Sequence, residues 1–290
     1  MLTMQQALIK LNADIQLRGL LQCTLRGYTT SVREFFKYIR RPVGDLDETD
    51  VRKYLTHLIV EKKLEPSSVN IHSAAIRFFF AVTLNRTMNY LQIPRMKEPK
   101  KLPEVMSRDE VSDLIAQASN VKHKALLLTA YGSGLRVSEL VSLKTTDIDS
   151  VSMRVFVRGG KGKKDRYTIL SEKSLFALRD YWLKFHPKSP EGYIFPGSKN
   201  VGHLTANAAG RVFRDAKSRA IITKPVTIHT LRCCFATHLL EDGYSIFQIK
   251  EMLGHASISS TVVYLRLANT MSGVTSPADK LPEKSGDSPL

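Results

Sequence analysis

The stretch PRMKEPKKLP, residues 94–103, constrains this chain's fold more than any other feature. Its three prolines lack the N–H that a helix or inner strand needs, and their rings clash with a preceding helical turn. Basic side chains fill most of the remaining positions, so the segment cannot enter a core. Two cores, one on each side, are expected; a surface loop within one domain is the alternative reading. The sequence therefore divides into a helical domain over 1–93, a basic linker over 94–102, a second domain over 103–270, and a tail over 271–290. Ser, Pro, Gly and charge dominate the tail, a composition that favours disorder.

On the N-terminal side the apolar residues keep a helical period. Leu8, Leu11 and Ile15 form one stripe, and Val32, Phe35, Phe36 and Ile39 another. A third runs from Val51 through Leu55 to Leu58 and Ile59. A fourth segment begins near Pro66, with Ser67 or Ser68 as the expected N-cap. Four amphipathic helices of this kind make a bundle. Beyond the linker, Ser107 and Glu110 fit the S-x-x-E capping box. Two alternating runs around a Gly- and Lys-rich turn, within 153–170, predict a β-hairpin. Further helices are expected around Leu175–Phe185, Ala206–Ala220, His229–Leu240, Ser245–Leu253 and Ser259–Leu267. The fold class is mostly α with a small antiparallel β element.

The chain carries 43 Lys and Arg against 27 Asp and Glu, a formal net charge of +16. Folding does not need this imbalance, whereas attraction to DNA, RNA or anionic membranes follows from it. No apolar run approaches the ~20 residues that cross a bilayer, and the first residues lack a signal peptide's apolar region. The three cysteines include an adjacent pair, which suits neither a disulfide framework nor a thiolate zinc site. The lack of a span, of a signal peptide and of a disulfide framework predicts a soluble, cytoplasmic protein with no membrane partner.

Four clusters carry chemistry, each with a bland reading beside it. In Thr227-Ile228-His229-Thr230-Leu231-Arg232, His229 and Arg232 share a helix face near its N-terminus, an arrangement that attracts anions; a solvated basic face would look the same. Leu253-Gly254-His255 ends a helix on glycine, which aims His255 outward or lets it satisfy helix-end carbonyls. Gly132-Ser133-Gly134-Leu135-Arg136 turns tightly into a helix, where Glu139 can hold the Arg136 guanidinium; an ordinary exposed ion pair is the alternative. The turn Gly159–Arg166 carries Lys161, Lys163, Lys164 and Arg166. It is no P-loop, since Lys163 is followed by Lys164 and a strand rather than by Ser or Thr and a helix. Lys163, Lys164 and Arg166 read as phosphate anchors. Tyr264, in SISSTVVYLRL, has the spacing of a core residue.

Taken in order, R-x-S-E-L, G-K-G-x-K, H-x-L-R, L-G-H and a tyrosine nine residues later resemble the tyrosine recombinase (phage integrase) family over nearly the whole chain. Its compact two-domain members, such as chromosome-dimer resolvases and integron or transposon recombinases, look most similar. The resemblance implies an N-terminal core-binding domain and a catalytic domain that close on DNA as a clamp. It also implies catalysis by Tyr264 as nucleophile, Arg136 and Arg232 on the phosphate, His229 as general base, Lys161 as general acid and His255 as a phosphate ligand, with Glu139 in support. No metal or other cofactor is implied. The implied partner is double-stranded DNA bearing inverted repeats, bound by a homotetramer on two sites, with a related recombinase as an alternative co-subunit. Asn70, His72, Ser73 and Arg77, on the fourth helix, are candidate contacts in the major groove. Cys233 departs from the pattern, because many members carry a second His there. A type IB topoisomerase and a non-catalytic DNA-binding regulator stay open as alternatives, while a metal-dependent transposase lacks a spaced acidic triad.

Overall fold

Thr3 opens the first helix by accepting from the Gln6 amide while Gln6 accepts from the Thr3 amide, so two otherwise orphaned donors are satisfied. Helix α1 (Met4–Leu17) buries Ala7, Leu11 and Ile15, one residue per turn. Helix α2 (Gln22–Ile39) turns Val32, Phe35 and Phe36 inward. Helix α3 (Glu48–Val60) is capped reciprocally by Asp47 and Asp50 and buries Val51, Tyr54, Leu55 and Leu58. Helix α4 (Pro66–Phe78) differs from expectation at its start. Pro66 occupies the first helical position, where its missing N–H is harmless, and neither Ser67 nor Ser68 is the cap. A five-residue π-helical segment, Phe79–Thr83, prolongs it. The stripes meet in one core, in which Phe35 meets Tyr54 edge-on at 5.4 Å and Phe36 meets Phe79 at 5.4 Å.

These coordinates form a computed structural model describing residues 2–88, 95–98, 102–159, 165–187, 189–198 and 201–268. Two compact units divide the chain, Met1–Lys100 and Lys101–Leu290. Residues 94 and 99–101 of the expected linker and the whole expected tail lie outside the described residues.

The second unit starts with the expected capping box, Ser107 accepting from the Glu110 amide at 3.1 Å and Glu110 from the Ser107 amide at 2.7 Å. Helices α5 (Arg108–Ala116) and α6 (Val121–Gly132) lead to the short α7 (Val137–Val141). An antiparallel sheet follows, ordered β1 (Ile148–Asp149), β2 (Arg154–Val157) and β3 (Arg166–Ile169). The hairpin is β2–β3, with Val155 opposite Thr168 and Val157 opposite Arg166. Strand β1 has only two residues, too few to give alternation a pattern.

The remaining helices are α8 (Glu172–Phe185), α9 (Ala206–Arg219), α10 (Ile228–Glu241), α11 (Ile246–Leu253) and α12 (Ser259–Leu265). Helix α10 is buried on nearly every side, which places it at the centre of the unit. Its Leu231 and Cys234 join the main core, while Cys233, Phe235, Ala236 and Leu240 form a smaller cluster with Ile249, Leu253 and Tyr264. His238 fits this interior as a neutral ring. Nδ1 faces the Tyr131 hydroxyl at 2.8 Å, Nε2 faces the Met106 carbonyl at 3.1 Å, and burial lowers its pKa.

Candidate active site

Glu139 is the hub. Helix α7 starts immediately after Arg136, so the Glu139 side chain folds back on the helix start and accepts from the Arg136 amide at 2.8 Å. The same carboxylate accepts from Arg136 Nη1 at 2.7 Å and from Arg166 Nη1 and Nη2 at 2.9 and 2.8 Å. Arg232 Nη1 stands 3.7 Å away. The Glu139 side chain is only 7% exposed, and burial alone would raise its pKa. The Arg166 and Arg136 hydrogen bonds outweigh burial and hold it at about 2. One carboxylate thus gathers three guanidiniums and leaves the pocket with a positive excess.

Arg232 departs from an exposed anion clamp, because its side chain is 1% exposed. It forms the floor, donating from Nη1 to the Gly134 carbonyl at 2.8 Å and from Nη2 to the Leu253 carbonyl at 2.6 Å. Burial, then Arg136, lowers its pKa to about 10, so it keeps its charge at neutral pH. Gly134 makes the close approach possible. Its φ is +58°, and a Cβ there would run into the Phe235 ring.

His229 lies at the head of α10 and is exposed, yet enough protein surrounds the ring for desolvation to lower its pKa, with Arg232 and Arg136 adding to the effect. A neutral imidazole can accept a proton. Thr227 is the N-cap residue of this helix, and its amide donates to the Thr230 hydroxyl at 3.0 Å. Gly254 ends α11 in the left-handed region and delivers His255 to the pocket side. His255 Nδ1 lies 2.8 Å from the Thr261 hydroxyl, and its ring stacks on Tyr264 with centroids 6.2 Å apart. If Nδ1 accepts from Thr261, Nε2 carries the hydrogen and can donate.

Tyr264 is 6% exposed. Its ring sits in the small apolar cluster, its hydroxyl meets the Cys233 thiol, and the charges of Arg232 and Arg136 reach it. Burial, followed by Cys233, pushes its pKa up to about 12 despite those guanidiniums. The phenol therefore faces inward, within the field of the arginine pair.

Arg166 corrects the sequence reading. It was expected as a phosphate anchor in a basic turn, but it is turned inward with 8% of its side chain exposed and its charge spent on Glu139. Lys161, Lys163 and Lys164 lie outside the described residues. On α4, Ser73 is buried and cannot reach a groove from this position, so that contact is withdrawn. Half-buried His72 bonds the Tyr54 hydroxyl at 3.1 Å, and Asn70 spends its amide on Met96 and Glu98, so neither presents an open base-reading edge. Arg77 is half-buried. Thr261 and Cys233 were missed as neighbours of the site; a hydroxyl three residues before a candidate nucleophile, on the same helix face, was the available clue for Thr261. Among the described residues no three His, Cys, Asp or Glu side chains gather as a metal site, and no helix is long and apolar enough to cross a membrane.

Residues 104–271 match the phage integrase family, and residues 8–90 match the phage integrase N-terminal SAM-like domain. A Sinorhizobium fredii protein named integrase/recombinase y4qK is 42% identical over 275 residues, spanning 94% of this chain and 88% of that protein. A tyrosine recombinase of Thermosipho africanus is 31% identical over 261 residues, spanning 85% and 89%. The solved structure of a lambda integrase tetramer bound to a Holliday junction shares the fold, with a TM-score of 0.74 and 18% identity over 95% of this chain and 79% of that one. With the family match spanning more than half of its length, the chain belongs to the phage integrase, or tyrosine recombinase, family.

Proposed function

We propose that the chain is a site-specific DNA recombinase that cuts and rejoins strands through a 3′-phosphotyrosyl bond at Tyr264. The observation that carries this is the sharing of Glu139 by Arg136 and Arg232 beside a tyrosine whose hydroxyl lies in their field. The Tyr264 oxygen attacks phosphorus, the bond to the 5′-oxygen breaks, and the new ester resembles the old one in energy. Rejoining then needs neither ATP nor metal. Arg136 and Arg232 donate to the non-bridging oxygens as charge moves onto them, in a site where donors are already fixed. His229 accepts the phenol proton, Lys161 gives one to the leaving 5′-oxygen, and His255 steadies the phosphate. A 5′-hydroxyl from a second strand attacks the phosphotyrosine and reverses the chemistry.

Resting Tyr264 is buried and protonated, so DNA must draw it from its seat before attack. This makes the free protein poorly reactive and confines cleavage to a bound site. Exchange between two duplexes calls for a homotetramer on two inverted-repeat sites, a symmetric arrangement suited to identical subunits. The positive charge makes binding salt-dependent. The test is a plasmid carrying two copies of the DNA flanking the gene. Recombinant products are expected, whereas relaxation of a plasmid without such DNA, and no recombinants, would favour a topoisomerase instead.

A further inference from the structure

The backbone places His255 before any side chain acts on it. Gly254 takes the left-handed conformation, φ +64°, and the His255 amide donates to the Lys250 carbonyl at 3.1 Å, which ends α11. The Tyr264 ring, tilted only 19° from the imidazole, limits the plane of the histidine. Neither contact decides which ring nitrogen carries the hydrogen. A neutral imidazole can donate to a phosphate only through the nitrogen that does.

Thr261 makes that choice. It lies in the first turn of α12, three residues ahead of Tyr264, and is wholly buried. A helical threonine hydroxyl ordinarily donates to a carbonyl three or four residues back. Those two carbonyls are already taken by the backbone. Ile258 accepts from the Thr261 and Val262 amides at 2.8 and 3.0 Å, and Ser257 accepts from the Ser260 amide at 3.2 Å. Among the described residues the Thr261 hydroxyl has one hydrogen-bond partner, His255 Nδ1 at 2.8 Å. With the ring hydrogen on Nδ1, that hydrogen would point at the hydroxyl oxygen, and the hydroxyl's own hydrogen would be buried without an acceptor. Such an arrangement is disfavoured roughly tenfold or more. The hydroxyl therefore donates to Nδ1, and the ring carries its hydrogen on Nε2. We infer that Thr261 is a positioning residue, which holds His255 in the tautomer that donates from Nε2 to the scissile phosphate. This rests on His255 contacting that phosphate, as proposed above.

The test uses the full-length protein, isotopically labelled at its histidine ring nitrogens, and nicked duplexes carrying its site. In nuclear magnetic resonance spectra, the couplings between ring nitrogens and ring protons distinguish the two tautomers, and the signal missing from His255→Asn identifies His255. The wild type should show hydrogen on Nε2. Thr261→Val, which keeps the branched shape and loses the hydroxyl, should show both tautomers, and Thr261→Ser should restore the first. In single-turnover cleavage, Thr261→Val should bind DNA as the wild type does and cut about tenfold more slowly, short of the ~10²-fold expected for His255→Ala, which removes the donor itself. Thr261→Ser should cut near the wild-type rate. Adding Thr261→Val to His255→Ala should cost nothing further, because the threonine acts through the ring. A wild-type ring with its hydrogen on Nδ1 overturns the inference without any variant. So does Thr261→Val cutting at the wild-type rate beside a slow His255→Ala, or a further tenfold loss when the two are combined. If His255→Ala itself cuts at the wild-type rate, the phosphate contact fails and takes the inference with it.

Discussion

Replacing Glu139 with glutamine keeps the shape of the hub and removes its charge. The wild-type carboxyl is held at about 2 against an ordinary 4.5. At about 1.4 kcal/mol per pH unit, that gap is worth roughly 3 kcal/mol of stability at pH 7. Removing one partner from a buried ion pair gives a similar figure, ~3–5 kcal/mol, because the remaining charges lose their compensation. The sign follows from the lowered pKa. The contribution is complete above about 4.5 and is lost as pH falls towards about 2. Glu139→Gln should therefore be roughly 3 kcal/mol less stable at pH 7 and only about 1 kcal/mol less stable at pH 3. The chain's single tryptophan, Trp182, lies in α8 of the second unit, so its fluorescence during urea unfolding follows that unit alone. Equal stability of the two proteins at pH 7 would refute the hub. A loss of the same size at pH 3 would mean that shape, rather than charge, was disturbed.

Three further outcomes follow from the same geometry. Gly134→Ala should destabilise the second unit by roughly 2–4 kcal/mol, from the left-handed backbone and overpacking against Phe235, as read by the same fluorescence. Because His229 has a lowered pKa, cleavage should persist as pH falls through 6.5 and fade only below it; an acid limb centred above 6.5 in single-turnover rates would contradict that. Cys233→Ala removes a neighbour that raises the Tyr264 pKa, so any alkaline rise in cleavage should move to lower pH, and a shift to higher pH would contradict the contact.

Much of this architecture was legible because it is written locally. The Ser107–Glu110 box, the bundle stripes and the glycine end of α11 each depend on residues within a few positions of one another. The same holds for Arg136 beside Glu139. What escaped depends on meetings across long separations. Arg166 reaches Glu139 from 27 residues away, and a basic residue in a basic turn gives no local sign that it faces inward. Arg232 meets the Leu253 carbonyl across 21 residues, so its burial could not be told from an exposed clamp by helical spacing. Tyr264 had the spacing of a core residue and is indeed buried; spacing could not tell that it meets Cys233 within the field of Arg232 and Arg136. On α4 the periodicity gave the helix, but the hydrogen bonds that occupy Asn70 and His72 come from Met96, Glu98 and Tyr54, outside that helix.

The most direct measurement is to trap the protein on a nicked duplex bearing its site, digest with trypsin, and fragment the peptide that carries the nucleotide. Cleavage after Lys250 and Arg266 releases a peptide whose sole tyrosine is Tyr264. A nucleotide joined through its 3′-phosphate to Tyr264, and no adduct in Tyr264→Phe, is the predicted result. An adduct on one of the neighbouring serines or threonines, a 5′-phosphate linkage, or an undiminished yield from Tyr264→Phe would contradict it.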